Sequence, residues 1–242
     1  MEVEVMNKFK GLPGLIRFHK KDNIAKLERS PLVQKFLEAA ALQRVYQRKC
    51  VLTRILPIAE KKLWAAECGV YKGFSLIAMG EVARIFGIRV HFFGLDTFEG
   101  LPDISTTDQN FIPKDALYLT KKLFTNTSLE DVKKTLNRTG LRRKYTLLKG
   151  LFSKTLAQLP ERKYFFVHID CDLYDGHIEC LEYFYPRMLS GGIIFFDDYH
   201  SVSFPMARAA IDDFLKSKPE KLFHTYYHLA ETNYTKAYLI KG

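Results

Sequence analysis

The 242 residues suit one α/β domain with an extension, enough chain to bury roughly 70% of its unfolded surface without staples. The four cysteines, Cys50, Cys68, Cys171 and Cys180, form no C-x-x-C pair, which suggests neither a zinc ribbon nor a disulfide framework and suits reduced thiols in a cytoplasmic protein. A net charge of +10 favours an anionic partner or substrate, yet the basic residues are dispersed in short clusters such as Lys121-Lys122 and Arg142-Arg143-Lys144 without an RNP, KH or zinc-finger signature, which argues against nucleic acid.

Residues 1–14 mix charges with apolar positions, and no run of about 18 apolar residues follows, so neither a leader nor a membrane span is expected. Ser30-Pro31 is a helix start, a capping hydroxyl before a proline at the first helical position. Val33, Phe36, Leu37, Ala40 and Ala41 then recur at helical spacing. Residues 1–60 therefore read as a helical cap, and 61–242 as the main domain.

From residue 63 onward, short apolar runs alternate with helix-length segments. Strands are predicted at 63–67, 89–95, 145–149, 164–169 and 192–196, and helices at 74–86, 116–124, 129–139, 153–159, 178–189 and 207–216. Residues 222–228 and 236–240 alternate as a closing β-hairpin. Regular βα alternation implies a doubly wound, mostly parallel sheet of the Rossmann-like kind, with an N-terminal helical cap and a C-terminal β-hairpin.

Three strand ends carry chemistry. The first runs into Glu67-Cys68-Gly69-Val70-Tyr71-Lys72-Gly73-Phe74-Ser75, where two glycines let a strand-to-helix turn approach a ligand's anionic end, although a tight connection needs the same residues. The second closes on Asp96, 27 residues beyond Gly69, where an acid can accept from ribose hydroxyls or cap a helix. The fourth and fifth end in Asp170-Cys171-Asp172 and Asp197-Asp198. Carboxylates gathered at one sheet edge repel unless a hard cation or a cationic substrate sits among them, and an all-oxygen set suits magnesium.

Taken together, these segments resemble the class I S-adenosylmethionine-dependent methyltransferases, and among them the macrocin O-methyltransferase (TylF/MycF-like) group. The resemblance rests on E-C-G-V-Y-K-G-F-S at 67–75, L-D-T-F-E-G-L-P at 95–102, K-G-L-F-S-K-T-L at 149–156, H-I-D-C-D-L-Y at 168–174, Y-P-R-M-L-S-G-G at 185–192 and F-D-D-Y at 196–199. It implies methyl transfer from S-adenosylmethionine to a hydroxyl of a small molecule, a sugar or natural product, assisted by Mg2+. The resemblance places Glu67, Gly69 and Gly73 at the methionine part, Asp96 at the ribose, Phe98 near the adenine and Gly150 to Phe152 at its rim, with Tyr71, Ser75 and Thr97 also among the cofactor-binding residues. Asp170, Asp197 and Asp198 become the metal ligands. A homo-oligomer is compatible with this reading.

For the general base, His200 stands next to the acidic pair and is the first choice, with Asp170 as its catalytic companion. His177 and His168 are the other histidines near these motifs, and an in-strand His168 reads as a hydrogen-bonded core residue. Related sugar methyltransferases carry a histidine after F-E-G-L-P, where this chain has none between Phe92 and Val167; Asp103, Asp108 or Asp115 could take that place. A metal-dependent glycosyltransferase built on Asp170 and Asp172, or a non-catalytic scaffold, remain as alternatives.

Overall fold

A computed structural model describes residues 62–85, 89–112, 122–139, 144–229 and 232–242. The helical cap of 1–60, most of the helix expected at 116–124, and Asp115 lie outside the described residues.

Strand β1 is Leu63–Cys68, followed by helix α1 (Phe74–Ile85) and β2 (Val90–Asp96). After a short turn of helix α2 (Thr106–Gln109) come α3 (Leu129–Arg138), β3 (Tyr145–Lys149), α4 (Phe152–Thr155), β4 (Tyr164–Ile169), α5 (Tyr174–Phe184) and β5 (Met188–Phe196). Helix α6 (Pro205–Leu215) and strands β6 (Leu222–Leu229) and β7 (Thr232–Ile240) complete the order. The seven strands lie in the order β3-β2-β1-β4-β5-β7-β6. The first five are parallel, and β7 enters antiparallel between β5 and β6. The C-terminal hairpin is thus part of the sheet. Among the described residues no helix is long and apolar enough to cross a membrane.

The apolar runs form central strands because both their faces are covered. On one face Leu76 and Ala83 of α1 and Val132 and Leu136 of α3 pack on Phe92 and Phe166. On the other, Cys180, Leu181 and Phe184 of α5 and Ile211 of α6 pack on Val167, Ile169 and Ile194. Cys68, Cys171 and Cys180 are free and buried, as reduced core thiols should be.

Strands β5 and β7 each start four residues earlier than the sequence pattern predicts, the helix expected at 153–159 is α4 followed by a 3-10 turn at Leu156–Gln158, and both bounds of α5 differ. Helix α5 begins at Tyr174, a turn before the expected 178, because its first free amide is capped from outside: Tyr174 N donates to Asp108 Oδ1 at 2.7 Å. Phe111 stacks on the Tyr174 ring at 5.6 Å, and the Tyr174 hydroxyl donates to Asp213 of α6 at 2.9 Å. The helix also stops at Phe184, not 189. Pro186, which cannot donate to a helical carbonyl, sits in the 3-10 turn Tyr185–Arg187, and Met188 already pairs with Tyr164 of β4.

The sheet switches direction between β1 and β4, which is where an open α/β sheet forms its ligand crevice. Gly69 follows β1 with φ at +88°, and a Cβ built on it would sit 1.7 Å from the carbonyl oxygen of Asp170. Any side chain therefore drives two strand ends apart, so Gly69→Ala should cost at least about 3 kcal/mol. Thermal unfolding checks this; a variant as stable as the parent would show that the strand ends are not so tightly apposed.

A second stability term lies at the far end of β7. Glu220 accepts from Lys241 Nζ at 2.6 Å and from the Tyr185 hydroxyl. Burial alone would raise its pKa, but these donors hold it down at about 2. A depressed carboxyl pKa stabilises the fold above the unfolded value near 4.5, and that stability goes as pH falls from there towards 2. Chemical denaturation at pH 7 and pH 3 should show a larger loss of stability for the parent than for Glu220→Gln.

Candidate active site

One hydrogen-bonded row aligns the site. Each residue just past a strand donates its amide to the last carbonyls of the neighbouring strand: Gly150 N to Asp96 O, Gly69 N to Leu95 O, Asp170 N to Cys68 O and Asp197 N to Ile169 O, at 2.8 to 3.0 Å. Parallel register thus carries Gly150, Asp96, Gly69, Asp170 and Asp197 to one edge.

A cleft opens over part of this row. It is lined by Gly69, Tyr71, Asp96, Thr97, Gly150, Phe152, Asp170 and Asp172 from the sequence motifs. Gly100, Leu101, Pro102, Phe124, Thr127, Leu151 and Cys171 complete it. Of these, Phe124 and Leu151 are exposed large apolar residues at its rim. The exposed Leu151 sits in the K-G-L-F-S segment; Phe124 and Thr127 belong to none of the sequence motifs.

Asp96 braces the cleft wall. Its Oδ2 accepts from Val70 N at 2.7 Å and Tyr71 N at 2.8 Å, and its Oδ1 from Phe98 N at 2.5 Å. These amides belong to strained backbone, with Tyr71 at φ 49° and Phe98 at φ 54°, so the carboxylate holds two unfavourable conformations in place. Three of its roughly four acceptor positions are filled, and the Thr97 hydroxyl donates mainly to Gly100 O at 2.5 Å, which leaves one position for a ligand hydroxyl.

Four of the expected cofactor residues stand behind the wall. Phe98 is 1% exposed and packs in the core, because its left-handed backbone turns the ring inward; it does not face the cleft. Gly73 is close-packed, a Cβ there lying 2.9 Å from Val132 of α3. Ser75 and Glu67 are buried as well. The Glu67 carboxyl is pushed up by burial, an effect offset by its hydrogen bond with His168 Nδ1 at 2.8 Å.

Beside the cleft, oxygens of Asp170, Asp197 and Asp198 lie within 4.8 Å of one another. Asp170 belongs to both the cleft and this cluster. Burial, then repulsion from Asp170 and Asp197, pushes Asp198 up to about 7; Asp172 is raised well above the ordinary range by burial and by Asp198. Asp172 also donates its amide to Asp198 Oδ2 at 3.2 Å. A second group, Glu67, His168 and Asp170, is already committed to the buried Glu67–His168 pair. One cation present here was not foreseen: Lys236 Nζ lies 2.6 Å from Asp197 Oδ2 and 3.0 Å from its carbonyl. Only the insertion of β7 beside β5 brings it in, and nothing in the local sequence signals that insertion.

The expected bases fare less well. His200 is exposed, shares a hydrogen bond with His224 at 3.0 Å, and does not line the cleft; it follows Asp198 through a turn that points it at β6. Its pKa is lowered by partial burial and then by His224. His177 is buried in α5, with Nδ1 at 2.8 Å from Leu173 O. His168 lies between Glu67 and Asp197 Oδ1, 3.5 Å from the latter. Asp108 spends both oxygens on Tyr174 N and the Ser105 hydroxyl, and Asp103 does not line the cleft.

The family model described as macrocin O-methyltransferase (TylF) matches residues 63–223. The 8-demethyl-8-(2,3-dimethoxy-alpha-L-rhamnosyl)-tetracenomycin-C 4'-O-methyltransferase of Streptomyces olivaceus is 29% identical over 150 residues, 61% of this chain and 56% of that protein. Mycinamicin III 3''-O-methyltransferase of Micromonospora griseorubida is 26% identical over 151 residues, 61% of this chain and 58% of that protein. The match thus spans little more than half the length of these curated relatives. Among solved structures, the O-methyltransferase NovP superposes with a TM-score of 0.64 at 22% identity, covering 86% of this chain and 80% of that one. The calicheamicin methyltransferase CalS11 gives 0.62 at 20%, covering 90% and 89%. At such identities the structures share the Rossmann-like fold.

Replacing the brace tests the construction of the wall. Asp96→Ala leaves three amides without their acceptor and should destabilise the fold by about 2 kcal/mol or more, measured by chemical denaturation. Asp96→Asn, which keeps an acceptor oxygen, should lose less.

Proposed function

The chain belongs to the macrocin O-methyltransferase (TylF) family, and from that premise we propose that it transfers the methyl group of S-adenosylmethionine to a hydroxyl of a small molecule, a sugar or a natural product, with a magnesium ion at Asp170, Asp197 and Asp198. The observation that carries this reading is the position of Asp170, shared between a cleft and a set of carboxylate oxygens within 4.8 Å of one another. An acceptor held at the cluster would face a ligand in the cleft. The relatives' names put one reaction on a rhamnosyl-bearing tetracenomycin and another on mycinamicin III, which supports that acceptor class; the positive charge of the chain favours an anionic example.

The residues fit both groups. Three hard oxygen donors suit a small divalent cation, and a glycine turn beside Asp96, with one acceptor position open, suits a ribose. In this reading Gly69, Tyr71, Asp96, Thr97, Gly150 and Phe152 contact the cofactor. Glu67, Gly73, Ser75 and Phe98 support the wall from behind.

S-adenosylmethionine supplies an electrophilic methyl on a sulfonium, and magnesium a Lewis acid that makes a bound hydroxyl more acidic. The protein supplies position: in-line approach of an oxygen to a methyl needs reacting atoms held about 3 Å apart, which is worth several powers of ten. Leu101, Pro102, Phe124 and Leu151 shed water from the cleft. In this reading the hydroxyl proton passes to Asp172, a carboxylate that lines the cleft and is not one of the three proposed metal ligands; among the described residues no histidine lines the cleft.

Calorimetric titration with S-adenosylmethionine tests the cofactor; binding of a nucleotide sugar in its place would support the glycosyltransferase alternative. Asp198 belongs to the cluster and does not line the cleft. Asp198→Asn should therefore cut S-adenosylhomocysteine release on a glycoside panel by at least about a hundredfold, with cofactor affinity within about twofold. His200→Gln should leave turnover within about threefold; a hundredfold fall would restore that residue as the base.

A further inference from the structure

We propose that Lys236 is a resident counter-ion of the acidic cluster, competing with a divalent cation for Asp197 and so setting how tightly that cation is held. This rests on the reading of Asp170, Asp197 and Asp198 as cation ligands. Lys236 grips Asp197 at two points, the carboxylate Oδ2 at 2.6 Å and the backbone carbonyl at 3.0 Å. The two side chains are only 13% and 12% exposed, so water and salt screen the pair weakly.

The lysine is held by the sheet. β7 pairs antiparallel with β5 and places Ala237 opposite Phe196, so the next residues outward along the two strands, Lys236 and Asp197, face each other. Asp197 Oδ1 meanwhile lies 3.5 Å from His168 Nε2. Lys236 thus sits directly on the Asp197 carboxylate. An arriving cation must share Oδ2 with an ammonium or push it aside, and meets like charge while doing so. The same ammonium relieves repulsion among the carboxylates when no cation is bound, so the cluster is stable in both states.

Binding of Mn2+ to the full chain, followed by the electron paramagnetic resonance signal of the free ion, tests this. Lys236→Met keeps the length and apolar stem and should bind Mn2+ at least tenfold more tightly than the parent, about 1.4 kcal/mol. Lys236→Gln, which keeps a hydrogen-bond donor without charge, should tighten binding in the same direction. Lys236→Arg should stay within about threefold of the parent. Mn2+ should also raise the unfolding temperature of Lys236→Met by more than that of the parent. Equal or weaker Mn2+ binding by folded Lys236→Met and Lys236→Gln would overturn the competition while leaving the cation site standing. Absence of Mn2+ binding in the parent and in both neutral variants would overturn the cation reading and this inference with it.

Discussion

The ends of β1 and β4 approach so closely that only a hydrogen atom fits between Gly69 and the Asp170 carbonyl. The features at the carboxyl edge depend on that approach. It brings the turn after β1 next to the acid after β4, and the amide-to-carbonyl row continues on either side of it through Gly150, Asp96 and Asp197. The glycine pattern at 67–75 therefore has its first cause in backbone packing, and ligand approach is a consequence of the same geometry. Gly73 makes the point again, since its lack of a side chain is used by Val132 of α3.

Asp96 extends this logic. An acid at the end of the second strand was read as a ribose acceptor or a cap, and the fold gives it three backbone amides to hold. A carboxylate that freezes two left-handed residues is pre-organised for a ligand because its own position is over-determined. Strain at Tyr71 and Phe98 is local, and the acid that compensates it is in the same wall.

Much of this was legible because it follows from period and strand ends. The runs 63–67 and 164–169 are apolar except for the paired Glu67 and His168, as strands covered on two faces must be, and the acids at the strand ends fall where parallel register puts them. The bounds of α5 were less legible, since its start depends on a cap supplied by Asp108, 66 residues away, and its end on Pro186. Phe98 was misplaced because the sequence does not disclose a positive φ. Lys236 was invisible for a topological reason: alternation marks a hairpin, but not which strand of the sheet that hairpin will join. His200 shows the limit of adjacency, because the turn at Tyr199-His200 redirects the chain just after Asp198.

The cap on α5 has a dynamic consequence. Asp108 ties the stretch after β2 to the first amide of the helix that follows Asp170, while Phe111 and Asp213 clamp the same tyrosine from two sides. Peeling that stretch away would expose the start of α5 and loosen the ring against α6 in one event. Amide hydrogen exchange in 105–112 and in the first turn of α5 is therefore expected to rise and fall together, because the contacts that join them run directly to the backbone just beyond the carboxylates without passing through the sheet.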